Sequence, residues 1–237
     1  MSYQYRFPSR KITPSSRGGK RRRVVEEDFE EEPPQGGEIE ISPEDLMQMF
    51  TAHRNDNPHG RIYAVDNHIY FHSHIDEESS FRLKRVLSST IKKMEDMGVK
   101  YDISPPPIKL HITSNGGHVF ESLSIVGMIE SSPVPIHSII EGNAASGATL
   151  ISVSCHRRYI QKHSFMLIHQ MSGGVYGKVE EIMDEAENCK TITNVIEDFY
   201  LEKTSIPRRK LRQMFKHDLW LSAGVCLEKG LVDEIIE

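Results

Sequence analysis

An α/β fold is the class this sequence predicts, and three observations predict it. Short apolar runs of strand character alternate with segments whose apolar residues recur every three or four positions. Small-residue turns sit at the junctions, at Asn115–Gly117 and around Gly142–Gly147. One segment, "GATLISVSC", carries no charge and reads as a buried helix. Strands and helices in alternation make βαβ units around a shared sheet. No internal repeat of fixed period is present.

The folded part is expected to start near Ser42, where Ser, Pro and following acids in "SPEDLMQMF" mark a helix start. "RIYAVDNHIYFHSHID" reads as two strands around an Asp-Asn turn. Phe81, Leu83, Leu87, Ile91 and Met94 make the apolar face of a helix closed at Gly98. "ISPPP" is a rigid connector into the strand "IKLHI", which ends at "TSNGG". Val119, Leu123, Val126 and Ile129 form one helical face, "SSPVP" ends it, and "IHSIIE" is again strand-like. The Ser146 turn and the uncharged helix follow, then strands at "RRYIQ" and "FMLIHQ".

From Gly177 a much longer helix repeats Val179, Ile182, Ala186, Cys189, Ile192, Ile196 and Phe199 at helical spacing. Such a stripe needs a facing surface, in its own core or in a neighbouring subunit. "SIPRRKLRQMF" is a short helix, "DLWLSA" a strand, "AGVCLEKG" a helix ended by Gly230, and "LVDEII" the last strand.

The chain has 237 residues and a net charge of −5, which argues against a nucleic-acid binder. The charge is unevenly placed. Met1–Val25 contains no acid and includes Arg21, Arg22 and Arg23, while Glu26–Asp45 contains no base. Residues 1–41 therefore read as a disordered, basic-then-acidic tail or pro-segment, ahead of one domain over 42–237. The start lacks the apolar core of a secretory signal, and no run approaches the ~20 apolar residues of a membrane span. Cys155, Cys189 and Cys226 have no metal-like spacing and read as reduced thiols. The expected location is the cytoplasm or another reducing compartment, with an organelle or a virus as other sources the tail allows. His72 and His74 share a strand face with no further ligand set, so no metal is expected.

Four places carry candidate chemistry. Ser146 stands at a strand-to-helix junction among Gly and Ala. It is either a helix cap in a tight packing corner or a nucleophile that a carbonyl must reach. Gly116 and Gly117 could present successive N–H groups to an anion, or simply make a turn. His169 ends an apolar strand, where a catalytic base or a structural histidine would both fit. Asp218 could orient a histidine, as the third member of a triad does.

In order, "SNGG", "GNAASGATL", "IHQMSGGVYG" and "HDLWLSAGVCLEKGLVDEII" resemble the proteolytic subunit of the Clp protease, the ClpP serine peptidase family, from about Asn67 to Glu237. The resemblance implies a spiral of ββα units of ClpP/crotonase type with a protruding handle helix. It implies Ser146 as nucleophile, His169 as base and Asp218 as third member, with backbone N–H groups of Gly117 and Gly147 as oxyanion donors. Gly173, Gly174, Val175 and Tyr176 would form the strand that binds substrate. The long stripe would be the handle, which interdigitates two heptameric rings into a tetradecamer. No cofactor is implied, since ATP would be used by a separate AAA+ unfoldase.

The chain departs from the family's "SPGG", "AASMG" and "IHQP" at Asn115, Gly147 and Met171. Lys109 and His111 stand where the family carries docking-pocket aromatics, and suit a hydrophobic docking loop poorly. His217 and Leu219 replace the arginines that flank the triad acid. The expected function is endoproteolysis inside an oligomeric chamber. The alternatives are a silent ring subunit, a capsid-maturation peptidase, or an acyl-CoA enzyme on the related fold.

Overall fold

The computed structural model describes residues 61–237. The predicted tail (1–41) and the helix start near Ser42 lie outside the described residues.

β1 (Arg61–Val65) and β2 (His68–His72) form the predicted hairpin, with Val65 opposite His68. Asp66 takes the positive φ of 56° that closes the turn, a conformation Asp tolerates better than most residues. α1 (Glu77–Tyr101) begins at Asp76, whose carboxylate accepts the Ser79 N–H at 2.8 Å. Leu83, Leu87, Ile91 and Met94 are buried as their spacing predicts. Phe81 is not part of that face and stands 57% exposed. Nor does Gly98 close the helix. The helix runs on to Tyr101, and Asp102 ends it at φ 53°, donating its N–H to the Gly98 carbonyl. Gly98 marks a close approach instead, since a Cβ there would stand 3.0 Å from the Ile103 carbonyl oxygen.

β3 (Ile108–Ser114), α2 (Val119–Glu130), β4 (Ile136–Ala145), α3 (Gly147–Val153) and β5 (Arg157–Gln161) alternate as predicted. The buried face of α2 centres on Ser122, Ile125, Val126 and Ile129, with Val119 and Leu123 only partly covered. α3 is buried at every residue, in keeping with its lack of charge. β6 (Phe165–Leu167) is shorter than "FMLIHQ" predicts, so His169 lies beyond the strand end. α4 (Val179–Lys203), α5 (Arg208–Met214), β7 (Trp220–Ser222), α6 (Ala223–Glu228) and β8 (Glu234–Ile236) follow.

The main sheet runs β1-β2-β3-β4-β5-β8, antiparallel at the first pair and parallel thereafter. β4 changes partner along its length. Its first half lies between β3 and β5, while Asn143–Ala145 pairs with β6. Gly142 sits at the change with φ 75°, its N–H donated to Ser164 Oγ at 2.7 Å. β6 then pairs antiparallel with β7. Fully buried Leu110, Ile112, Ile125, Ile140 and Ile151 join sheet and helices in one core. Each such side chain contributes about 1.5–3 kcal/mol by leaving water. Open α/β sheets hold their ligand sites at the carboxyl ends of parallel strands. Here β3, β4 and β6 deliver Gly116–Gly117, Ser146 and His169 to that edge.

Only the last turns of α4 are well covered, by burial of Ile196, Glu197 and Tyr200. Glu197 is clamped there by Arg208 and by Arg212 Nε at 2.9 Å. Towards its start the apolar stripe lies open: Val179 is 72%, Ile182 42% and Met183 64% exposed.

Candidate active site

Around Ser146 the small residues are first a matter of two backbones passing closely. A Cβ on Gly116 would lie 2.5 Å from the Ala145 carbonyl oxygen and 2.7 Å from Ser146 Cβ. One on Gly117 would lie 2.0 Å from the Ile75 carbonyl oxygen. Both glycines also take positive φ, 84° and 152°. Ile75 grips this turn from both sides, donating its N–H to the Gly116 carbonyl and accepting the His118 N–H, each at 2.8 Å. At Gly147 the space of a Cβ is taken by Ser122 Oγ, 2.2 Å away, which is the structural counterpart of the departure at that position.

Ser146 adopts φ 53° and ψ −126°, a region that L-residues rarely enter and that costs on the order of 1–3 kcal/mol. Its side chain makes no capping hydrogen bond to α3, so the helix-cap reading fails. Its backbone is held instead, the N–H donating to the Leu167 carbonyl at 2.9 Å. Such strain over-determined by its surroundings exposes a side chain at the sheet edge.

His169 follows β6, and Asp218 precedes β7. The β6–β7 register pairs Leu167 with Trp220. Carried two residues further, it sets His169 opposite Asp218, and His169 Nδ1 lies 3.3 Å from Asp218 Oδ1. That contact leaves Nε2 as the ring nitrogen available to Ser146 or a substrate. Asp218 is 75% exposed, and Leu219 beside it 67% exposed, so water reaches this end of the pair. Gly117, Ser146, Gly147 and His169 together line a cleft of about 330 Å³. Leu150, Ile196, Tyr200 and Phe215 give it an apolar wall. Among the described residues no hydrogen bond joins Ser146 Oγ to His169 across this cleft.

Cys155 and Cys226 are buried, and burial pushes each thiol up to about 12, so neither supplies a thiolate. Gly173–Tyr176 forms no strand: the segment is exposed, and nothing stands within 4 Å of a Cβ on Gly173 or Gly174. An extended backbone there has no ladder partner among the described residues. Met171, in place of proline, packs against the core.

Strained serine, paired histidine and acid, and glycine turns share one edge, and residues 85–237 match the Clp protease family. The chain belongs to the Clp protease family. The ATP-dependent Clp protease proteolytic subunit 2 of Parasynechococcus marenigrum (strain WH8102) is 30% identical over 132 residues, 55% of this chain and 67% of that protein. Among solved structures, a ClpP1 point mutant from Listeria monocytogenes matches with a TM-score of 0.63 at 24% identity, over 73% of this chain and 92% of its own. The fold of this Clp protease family member is thus the α/β ClpP fold that the sequence predicts.

The family departure at His111 also takes a concrete form. His111 is only 8% exposed, its Nδ1 bonded to Glu141 at 2.7 Å and its Nε2 to His68 Nδ1 at 2.8 Å. Its ring stacks on Tyr70 at 4.5 Å, and Tyr70 stacks on Tyr63 at 4.9 Å. An ionisable residue here is packed as one ring of an aromatic column.

The sequence reading missed Thr149 and Tyr200. Thr149 is fully buried one turn after Ser146, and its hydroxyl meets the Tyr200 hydroxyl at 2.5 Å. Tyr200 lies four residues after Ile196, beside Phe199, so its burial was legible in the helical spacing, but its hydroxyl partner was not.

Proposed function

We propose that this chain is a serine-type endopeptidase that cleaves delivered or unfolded polypeptide through an acyl-enzyme. The observation that carries the reading is that strained, uncapped Ser146 and His169, itself paired with Asp218, line one cleft. Ser146 Oγ would attack the scissile carbonyl carbon while His169 takes its proton at Nε2. Asp218, at Nδ1, would hold the tautomer and stabilise the imidazolium. The oxyanion would be held by the N–H groups of Gly117 and Gly147, both on the cleft wall. His169 then returns the proton to the leaving amine, and a water releases the acyl group. No cofactor has a part in these steps.

Substrate would lie extended along Gly173, Gly174, Val175 and Tyr176, whose unpaired backbone is free to add a strand. The open stripe at Val179, Ile182 and Met183 supports a subunit contact through α4 and hence a ring assembly. An AAA+ unfoldase would feed such a chamber. Buried free thiols fit a reducing compartment.

The test is intact mass after treatment with a fluorophosphonate, with Ser146→Ala as control. One adduct, lost in the variant, is expected. A folded, assembled wild-type particle that takes no adduct would make the chain a silent subunit.

A further inference from the structure

Thr149 and Tyr200 join Ser146 in a single hydrogen-bonded line. Thr149 Oγ1 lies 2.6 Å from the Ser146 carbonyl oxygen and 2.5 Å from the Tyr200 hydroxyl. A carbonyl has no proton to give, so the Thr149 hydroxyl donates to Ser146. Its oxygen must then accept, and Tyr200 is the donor. Both side chains are buried, at 0% and 2% exposure, so water does not substitute for either bond. The Thr149 N–H reaches the same carbonyl at 2.9 Å. Burial also pushes the Tyr200 phenol above its ordinary value, which keeps its proton in place as a donor.

The carbonyl so held belongs to the Ser146–Gly147 peptide. That unit is planar, with its C=O and N–H on opposite sides. Fixing the carbonyl toward Thr149 therefore fixes the direction of the Gly147 N–H on the other side. Ser146 is strained at φ 53°, ψ −126°, so this plane would relax if it were not held. We infer that Thr149 and Tyr200 are positioning residues for the oxyanion donor at Gly147, acting through the Ser146 carbonyl. This rests on the peptidase reading above. It also gives α4 a direct link to the reactive centre, since Tyr200 lies in the last turns of that helix.

The test uses the full chain in its assembled form and a fluorogenic peptide, with fluorophosphonate labelling rate as a second readout. Thr149→Val keeps shape and removes the hydroxyl. Loss of an oxyanion donor costs about 10²–10³ in kcat, so misaiming one should cost about ten-fold or more, with KM within about two-fold. Thr149→Ser restores the hydroxyl and should recover wild-type kcat to within about two-fold. Tyr200→Phe should lower kcat by about three-fold alone and add nothing in the Thr149→Val background, because the line is already cut.

A shift in melting temperature with kcat and labelling rate unchanged in Thr149→Val would make the pair merely structural and overturn the inference. Should Thr149→Val fail to fold, Tyr200→Phe decides alone: unchanged kcat sinks the relay. The two readings part on the wild-type chain. If it neither labels nor cleaves, the peptidase reading falls and takes the relay with it. If it labels, and both variants label as fast, only the relay falls.

Discussion

His169 and Asp218 meet because Leu167 pairs with Trp220: the antiparallel register of β6 and β7, extended by two residues, sets Nδ1 3.3 Å from Oδ1. The contact is a product of strand pairing, and the exposed carboxylate is reachable by water. Asp218→Asn keeps the side-chain shape but removes the charge and puts an N–H donor in place of one carboxylate oxygen, which favours the wrong histidine tautomer. In a Ser-His-Asp triad that change lowers kcat by about 10⁴, and solvent access here should soften the loss to roughly 10²–10³. Steady-state kinetics on a short peptide would check it. A loss below about three-fold would mean that Asp218 does not orient the base.

Gly116 should tolerate no side chain. An added methyl meets the Ala145 carbonyl oxygen and Ser146 Cβ, and the φ of 84° by itself costs about 1–3 kcal/mol. Gly116→Ala is expected to lower the urea midpoint and to slow fluorophosphonate labelling together, because the strain falls on the serine turn. Unchanged labelling in a destabilised variant would separate this turn from the reactive serine.

The open half of α4 makes a separable prediction. Ile182 and Met183 are exposed in the single chain, so Ile182→Asp should alter its stability by less than about 0.5 kcal/mol. Particle mass by light scattering should nevertheless drop, because a carboxylate would enter a subunit contact. An unchanged mass would remove this stripe from the assembly interface.

Acid should weaken the fold in two stages. Burial, followed by repulsion from His111, holds His68 below its ordinary value of 6.5. Burial and His156 do the same at His137. Below 6.5 the unfolded chain takes up protons that the folded chain refuses, so stability falls as pH drops from that value through the lower folded values. Glu197, held down mainly by Arg212, and Asp233, where Arg158 outweighs burial, lose their contribution at more acidic pH. The urea midpoint should therefore begin to decline as pH falls below 6.5, the ordinary histidine value. His68→Asn should make that first decline shallower, and an equal slope would remove His68 as a contributor.

Local chemistry made most elements legible. The Asp-Asn turn, the apolar spacing of α1 from Leu83 to Met94 and the uncharged α3 stand as read, while Phe81 does not. Boundaries that depend on tertiary contact did not. Gly98 resembled a helix stop, yet it is where the chain that leaves the helix, at the Ile103 carbonyl and Pro105, packs close against it. β6 stops early because β4 offers it only Asn143–Ala145 as a ladder. At the site, the residue types of Ser146, His169 and Asp218 could be read from the sequence. The missing cap on Ser146 and the line through Thr149 to Tyr200 could not, because each depends on where a hydroxyl finds its partner across 51 residues or fails to find one.

The double partnership of β4 has a consequence for self-preservation. On the proposed peptidase reading, each copy is a potential substrate of its neighbours whenever it frays. Local openings in proteins start at edges and loops, and central strands open only with the whole molecule. Among the described residues, Ser146 directly follows the one strand that pairs with β3, β5 and β6. A copy whose central strands have opened has thus already lost its own serine, while an intact copy keeps that strand closed to its neighbours.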